Sequence, residues 1–183
     1  TDVLPTIAAF TEAELPARKI DGRDLTAHFT STLHPASAPE HEVLRSKRDA
    51  ATKSAIEERL ITELSPSTDR SGRERNAIIN RAIDQNYDVF AAPEGYFYEI
   101  LSSGEIANLE EGDIVTAHYR GTFLDGQEFD NSRKRKALFR FRLGDMIPAW
   151  NLGLQQVKPG GSIRIISPSA LAYGKDGLVS PRG

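Results

Sequence analysis

Near Asn86 the apolar residues of this chain change period, from helical spacing before it to strand alternation after it, and that change limits the fold to an α+β class. Residues 95–101 (G-Y-F-Y-E-I-L) and 113–123 are rich in aromatic and β-branched residues and read as strands. In the second, Val115, Ala117 and Tyr119 share one face while Ile114, Thr116 and His118 take the other, because side chains alternate along a strand. Asp125-Gly126 predicts a hairpin turn. Phe139, Phe141 and Leu143 alternate with Arg140 and Arg142, as in a strand buried on one side and wet on the other, and residues 162–167 supply one more strand. A single short helix falls between those two. Pro148 suits its first turn, Trp150, Leu154 and Val157 form its apolar stripe, and Gly153 allows close approach. Lys158-Pro159-Gly160 then turns the chain as a type II turn requires.

The first half reads differently. Pro5, Pro16, Pro35 and Pro39 interrupt residues 1–40, which predicts short irregular segments. Residues 41–64 carry Ala50, Ala51, Ala55, Ile56, Leu60, Ile61 and Leu64 at helical spacing, and Pro66 ends that helix. A second helix is expected from Ser71, where Ser-Gly-Arg-Glu places Glu74 in a capping box, to about Asn86. Short helices are marginal alone, so their apolar stripes need a partner. Three partners are open: the C-terminal half, a second copy of the chain in a homodimer, or another protein in a larger assembly. The expected division is residues 1–90 as a helical and irregular extension and residues 91–183 as one domain.

Composition narrows the function. The 183 residues are 39% hydrophobic and 27% charged, ordinary for a globular protein. The net charge of -3 falls in residues 1–90 (12 basic, 15 acidic), while the rest balances (11 and 11). No basic excess supports nucleic-acid binding. Without cysteine, disulfides and thiolate chemistry are excluded. No apolar run reaches the roughly 18 to 20 residues of a membrane-spanning helix. The start at Thr1 suggests processing or trimming, with any signal peptide or lipidated terminus upstream. His28, His34, His41 and His118 show no metal-ligand spacing, and no nucleophile motif or phosphate loop is present, so neither metal nor cofactor is expected.

Several unusual motifs follow one another in residues 115–174: V-T-A-H-Y-R-G-T-F-L-D-G-Q-E-F-D, F-R-F-R-L-G, I-P-A-W, G-L-Q-Q-V-K-P-G-G and S-P-S-A-L-A-Y-G. In that order they resemble the FKBP family of peptidyl-prolyl cis/trans isomerases, and the match begins near Pro93. The resemblance implies a curved antiparallel sheet wrapped around one short helix, and an apolar cup for a proline ring. Trp150 would be its floor, with Tyr119, Phe129, Phe139, Met146 and Ile147 as walls. By the same resemblance Tyr173 would bind a substrate carbonyl through its hydroxyl, Asp130 would line the pocket, and Arg135 would pair with Asp130. Tyr119, Asp130 and Tyr173 are the catalytic candidates. The implied ligands are proline-containing polypeptides, with a macrolide as a second class. The alternative function is a non-catalytic FKBP-fold interaction or chaperone subunit of a larger envelope assembly.

The resemblance also implies a place in the cell. A charged helical region followed by E-G-Y-F-Y-E-I-L is similar to bacterial cell-envelope FKBPs, which points to the periplasm or outer membrane, with lipid anchoring in many members and the cytoplasm as the alternative. One family feature is missing. After the Y-G motif, members continue into an I-P-P-N segment and a central strand that supplies a pocket aromatic, but this sequence ends at Gly183. The strand is expected beyond the chain given, from another chain, or lost from a degenerate domain; the first is favoured because the motifs before it are intact. Without it, an exposed edge is expected.

Overall fold

The computed structural model describes residues 6–14, 48–105 and 107–174, the first of these as backbone only. Its elements are β1 (Thr6–Glu14), α1 (Ala50–Thr62), α2 (Arg70–Asp84), β2 (Phe90–Ala91), β3 (Phe97–Ser102), β4 (Ile114–Phe123), β5 (Glu128–Asn131), β6 (Phe139–Arg142), α3 (Pro148–Gly153) and β7 (Ser162–Ser167). Two 3-10 turns, Leu154–Gln156 and Ser169–Leu171, follow α3 and β7.

Local chemistry explains most boundaries. The side chain of Asp49 accepts the Thr52 N–H at 2.7 Å, and that of Asp69 accepts the Gly72 N–H at 2.7 Å, so both long helices begin on an acidic N-cap. The second helix thus starts at Arg70, and the expected capping box from Ser71 to Glu74 is not what starts it. It ends at Asp84, with Asn86 in the left-handed region (φ 53°) and the Tyr87 N–H reaching back to the Ala82 carbonyl at 2.8 Å. Of the segment expected to be helical from residue 41, residues 50–62 are helix and residues 41–47 lie outside the described residues.

The strands form an antiparallel sheet in the order β2-β3-β7-β1-β4-β5, with β6 also paired to β4. Hairpin β4–β5 turns at Gly126 (φ 92°), whose N–H donates to the Phe123 carbonyl at 3.0 Å. The Lys158-Pro159-Gly160 turn places Gly160 at φ 81°, and the Gly161 N–H returns to the Lys158 carbonyl at 3.0 Å. Between β4 and β7 lies β1, which pairs with both; Phe10 stands in register with Tyr119 on one side and Ile163 on the other. The irregular reading of residues 1–40 is corrected over this stretch, and the edge expected between these strands is paired. T-I-A-A-F-T-E-A-E concealed the strand, because its three Ala and two Glu residues dilute the β signal of Ile7, Phe10 and the two Thr.

Adjacent residues of β7 serve opposite faces, and both faces are covered. Ile163 and Ile165 pack with Trp150, Leu154, Val157, Val115, Ala117 and Tyr119, beneath α3. Ile166 packs with Ile56, Leu60, Ile78, Ile79, Val89, Phe97 and Leu124, beneath α1 and α2. Of the three partners open to the helical stripes, the structure supplies the chain's own sheet. The expected curved sheet wrapped around one helix is therefore corrected: the fold is α+β, but the sheet is open and does not curl or close around α3. A sheet with apolar residues on both faces needs a cover on each side. On the helical side Arg164 is neutralised by Glu99, its register partner across β3–β7, and its guanidinium sits 3.7 Å from the centre of the Tyr87 ring. Among the described residues, no helix is long and apolar enough to cross a membrane.

Candidate functional site

The face beneath α3 collects the aromatic residues picked out by the motifs. Trp150 reaches this surface from the first turn of α3, where Pro148 occupies a position whose N–H has no helical partner. Its ring meets Tyr119 edge-on at 5.1 Å, Phe141 at 5.6 Å and Phe139 at 6.1 Å. Close seating of α3 depends on Gly153, where an added Cβ would lie 2.4 Å from Ile165 Cδ1. Met146 and Ile147 are half-buried against the same cluster.

A polar corner borders this surface. The Tyr119 hydroxyl donates to Asp130 Oδ2, Arg135 pairs with Asp130 Oδ1, and Arg135 Nη2 donates to the Tyr119 hydroxyl oxygen at 2.8 Å. Asp130 Oδ1 also accepts the N–H of Asn131 at 2.8 Å. The triangle holds a carboxylate and a guanidinium beside an apolar floor, with the Tyr119 ring shared between the two. Phe129 and Tyr173 form a second group, their rings perpendicular (89°) at 6.2 Å. Gly121 makes room for Phe129, since a Cβ there would meet its ring at 2.5 Å. Burial, with the neighbouring Tyr119 adding to it, pushes the Tyr173 phenol above its ordinary value. At neutral pH it is thus a hydroxyl donor.

Two positioning residues were not singled out by the motifs. Ser132, fully buried, has its Oγ 2.9 Å from the donating Tyr119 N–H and 3.1 Å from His118 Nδ1, which ties the loop after β5 to the strand that carries Tyr119. Asn151 accepts the N–H groups of Gly144 and Met146 (2.9 and 3.2 Å) and donates to their carbonyls (3.1 and 2.6 Å), fixing the turn before Met146 and Ile147. Neither carries a periodic or motif signal; only their fully used hydrogen bonds mark them.

The 128–136 loop is clamped by charge. Glu128 binds Lys134 Nζ at 2.6 Å, Arg120 Nε at 2.7 Å and Asn131 Nδ2 at 3.1 Å. The Lys134 contact is the largest cause of a carboxyl pKa lowered from 4.5 to about 2; burial opposes the shift, and Asn131 and Arg120 add to it. A depressed folded value stabilises the protein above the unfolded value, and this is lost as pH falls through the folded one. Glu128 should therefore titrate below pH 4 in a carbon-detected NMR titration, with the clamp's contribution fading between about 4.5 and 2. A midpoint at the ordinary glutamate value would show that the clamp does not form.

Comparison with known proteins bears on the same stretch. The family model for the FKBP-type peptidyl-prolyl cis-trans isomerase matches residues 106–182. The chain is 36% identical over 120 residues to the FKBP-type peptidyl-prolyl cis-trans isomerase FkpA of Escherichia coli (strain K12), covering 61% of this chain and 44% of that protein. It is 33% identical over 95 residues to the outer membrane protein MIP of Legionella longbeachae, covering 52% and 41%. The crystal structure of FkpA from Escherichia coli is similar with a TM-score of 0.49 and 27% identity, over 76% of this chain and 78% of that one. The chain spans less than half the length of the two curated relatives. Trp150, Tyr119, Asp130 and Tyr173 all fall within residues 106–182, the region that matches the FKBP-type peptidyl-prolyl cis-trans isomerase family.

Proposed function

We propose that this chain binds Xaa-Pro segments on the Trp150 surface and accelerates their cis/trans isomerisation, assisting the folding of proline-containing polypeptides. The observation that carries this reading is the Tyr119–Asp130–Arg135 triangle set at the edge of an aromatic floor, within the residues that match the family. Rotation about an amide costs about 18–20 kcal/mol because resonance keeps it planar. The twisted transition state has lost that resonance and its charge separation, so an apolar surface favours it over the planar ground state. Each 1.36 kcal/mol of preference is about tenfold in rate. No covalent bond is made or broken, so the reaction calls for a grip and not for a nucleophile.

The residues divide the work. The proline ring lies over Trp150 between Phe139, Met146 and Ile147, with Phe129 as a further wall. The neutral Tyr173 hydroxyl donates to a flanking carbonyl, while Asp130, held by Tyr119 and Arg135, presents fixed charge to the twisting amide. The name of the Legionella relative supports placing this chain in the bacterial envelope, where fractionation would separate an anchored form from a free one.

The cis-to-trans rate of a Xaa-Leu-Pro-Phe peptide should rise with added protein. Asp130→Leu and Tyr173→Phe should each lower the catalysed rate about tenfold or more, as expected when a hydrogen bond to a charged or gripped group is lost. Unchanged rates in both variants would remove the proposed roles. A wild-type chain that binds the peptide without accelerating it would favour the interaction-subunit alternative.

A further inference from the structure

A side chain of the helical cover on the far face of the sheet reaches the turn that leads to Tyr173. Glu74 lies in α2, more than ninety residues from the 3-10 turn after β7, yet its carboxylate accepts the Ser169 N–H at 2.8 Å and the Ser169 Oγ–H at 2.7 Å. Both residues are buried, Glu74 at 9% and Ser169 at 5% relative exposure. The Ser169 carbonyl in turn accepts the N–H of Ala172 at 3.0 Å and of Gly174 at 2.7 Å, the two amides that flank Tyr173. Arg70, one helical turn before Glu74, holds the same carboxylate at 2.8 Å from the outer side.

A buried carboxylate is costly unless every lone pair is used, and here the partners are Arg70 and the turn itself. Burial opposes ionisation of Glu74, but the hydrogen bonds from Arg70 and Ser169 outweigh it and hold the carboxyl below its ordinary range. The side chain is therefore a fixed anion at neutral pH. Since the helix starts on the Asp69 cap, Glu74 is not needed at the helix terminus. We infer that Glu74 is a positioning residue for the site, an anchor on the helical cover that holds the Ser169 turn and through it sets the place of Tyr173. The inference rests on the isomerase reading for its effect on rate, but not for its effect on the turn.

The test uses the full chain with Glu74→Ala and Glu74→Gln, read by amide hydrogen exchange and by peptide isomerisation. In Glu74→Ala the Ala172 and Gly174 amides should exchange about tenfold faster, while the amides of Trp150 and Asn151 in α3 keep their wild-type rates. Catalysis should weaken through KM more than through kcat, because the displaced Tyr173 grips the substrate. Glu74→Gln keeps one acceptor oxygen and should fall between the two; it also serves if the alanine variant does not fold. Unchanged exchange at Ala172 and Gly174, or an equal rise at Trp150 and Asn151, would overturn the inference. Should the wild-type chain show no catalysis, the isomerase reading fails and the exchange rates alone decide the anchor.

Discussion

Trp150→Ala should unfold this protein more readily than any other single truncation on the α3 face, at a cost of about 3–5 kcal/mol, and should remove the proposed peptide isomerisation under conditions where the variant remains folded. The ring is 6% exposed and touches Tyr119, Phe139 and Phe141, so truncation leaves a cavity lined by aromatic residues that β4, β6 and α3 hold apart. Collapse into that space would require α3 to shift across Ile165, which Gly153 already brings as close as packing allows. Trp150→Phe retains most of the contact area and should cost less than half as much. Far-UV circular dichroism against urea measures both, since the tryptophan signal is itself removed. A loss below 1 kcal/mol would mean that Trp150 does not form the floor of the site.

The second large effect lies on the opposite face. Glu99→Ala should cost about 3–5 kcal/mol, because it leaves the Arg164 guanidinium, 4% exposed, in the interior without its counter-charge. It also releases Arg48, 2.7 Å from Glu99 Oε1, and the Asp88 N–H at 3.2 Å. Replacing both members, as Glu99→Leu with Arg164→Met, should recover most of the loss, since desolvation of a buried pair offsets much of its attraction. Urea denaturation of the two single variants and the double variant gives the coupling directly. Additive losses would show that the two charges are solvated and that the helical cover does not seal this face.

Glu99 and Arg164 also show where sequence reading stops. In Y-F-Y-E-I-L and S-I-R-I-I-S each charge sits among apolar residues, and alternation alone would give it a wet face. Whether that face meets water depends on α1 and α2, joined to it through Ile56, Leu60, Ile78 and Ile79, contacts remote in sequence. Turns were legible because their causes lie within a few residues, at Asp125-Gly126, Pro148 at the head of α3 and Pro159-Gly160, whereas the N-caps Asp49 and Asp69 were not singled out. The Val115, Ala117 and Tyr119 face was legible for the same reason, and all three are buried. The place of β1 was not, since a strand of mixed small and polar residues is specified by the two neighbours that pair with it.

The site divides along the same line. The aromatic candidates come from motif order, whereas Ser132 bonds the backbone of β4, Asn151 the nearby turn of Gly144 and Met146, and Glu74 the remote Ser169 turn, contacts that spacing does not mark. Arg135 is an intermediate case. The run of charges from Arg133 to Lys136 reads as a solvated loop, and its side chains are mostly exposed, yet Arg135 turns inward to Asp130 and the Tyr119 hydroxyl.

Exchange spectroscopy on a peptide with a single Xaa-Pro bond, with the wild-type chain present at a small fraction of the peptide concentration, measures the proposed catalysis without a coupled protease. Uncatalysed isomerisation takes tens to hundreds of seconds, so the peptide alone gives no cis-to-trans cross-peaks at mixing times of about one second. The proposed function requires strong cross-peaks at that mixing time with wild-type protein and their loss with Trp150→Ala. A peptide that quenches Trp150 fluorescence but gives no cross-peaks would contradict the isomerase reading and leave a binding surface in its place.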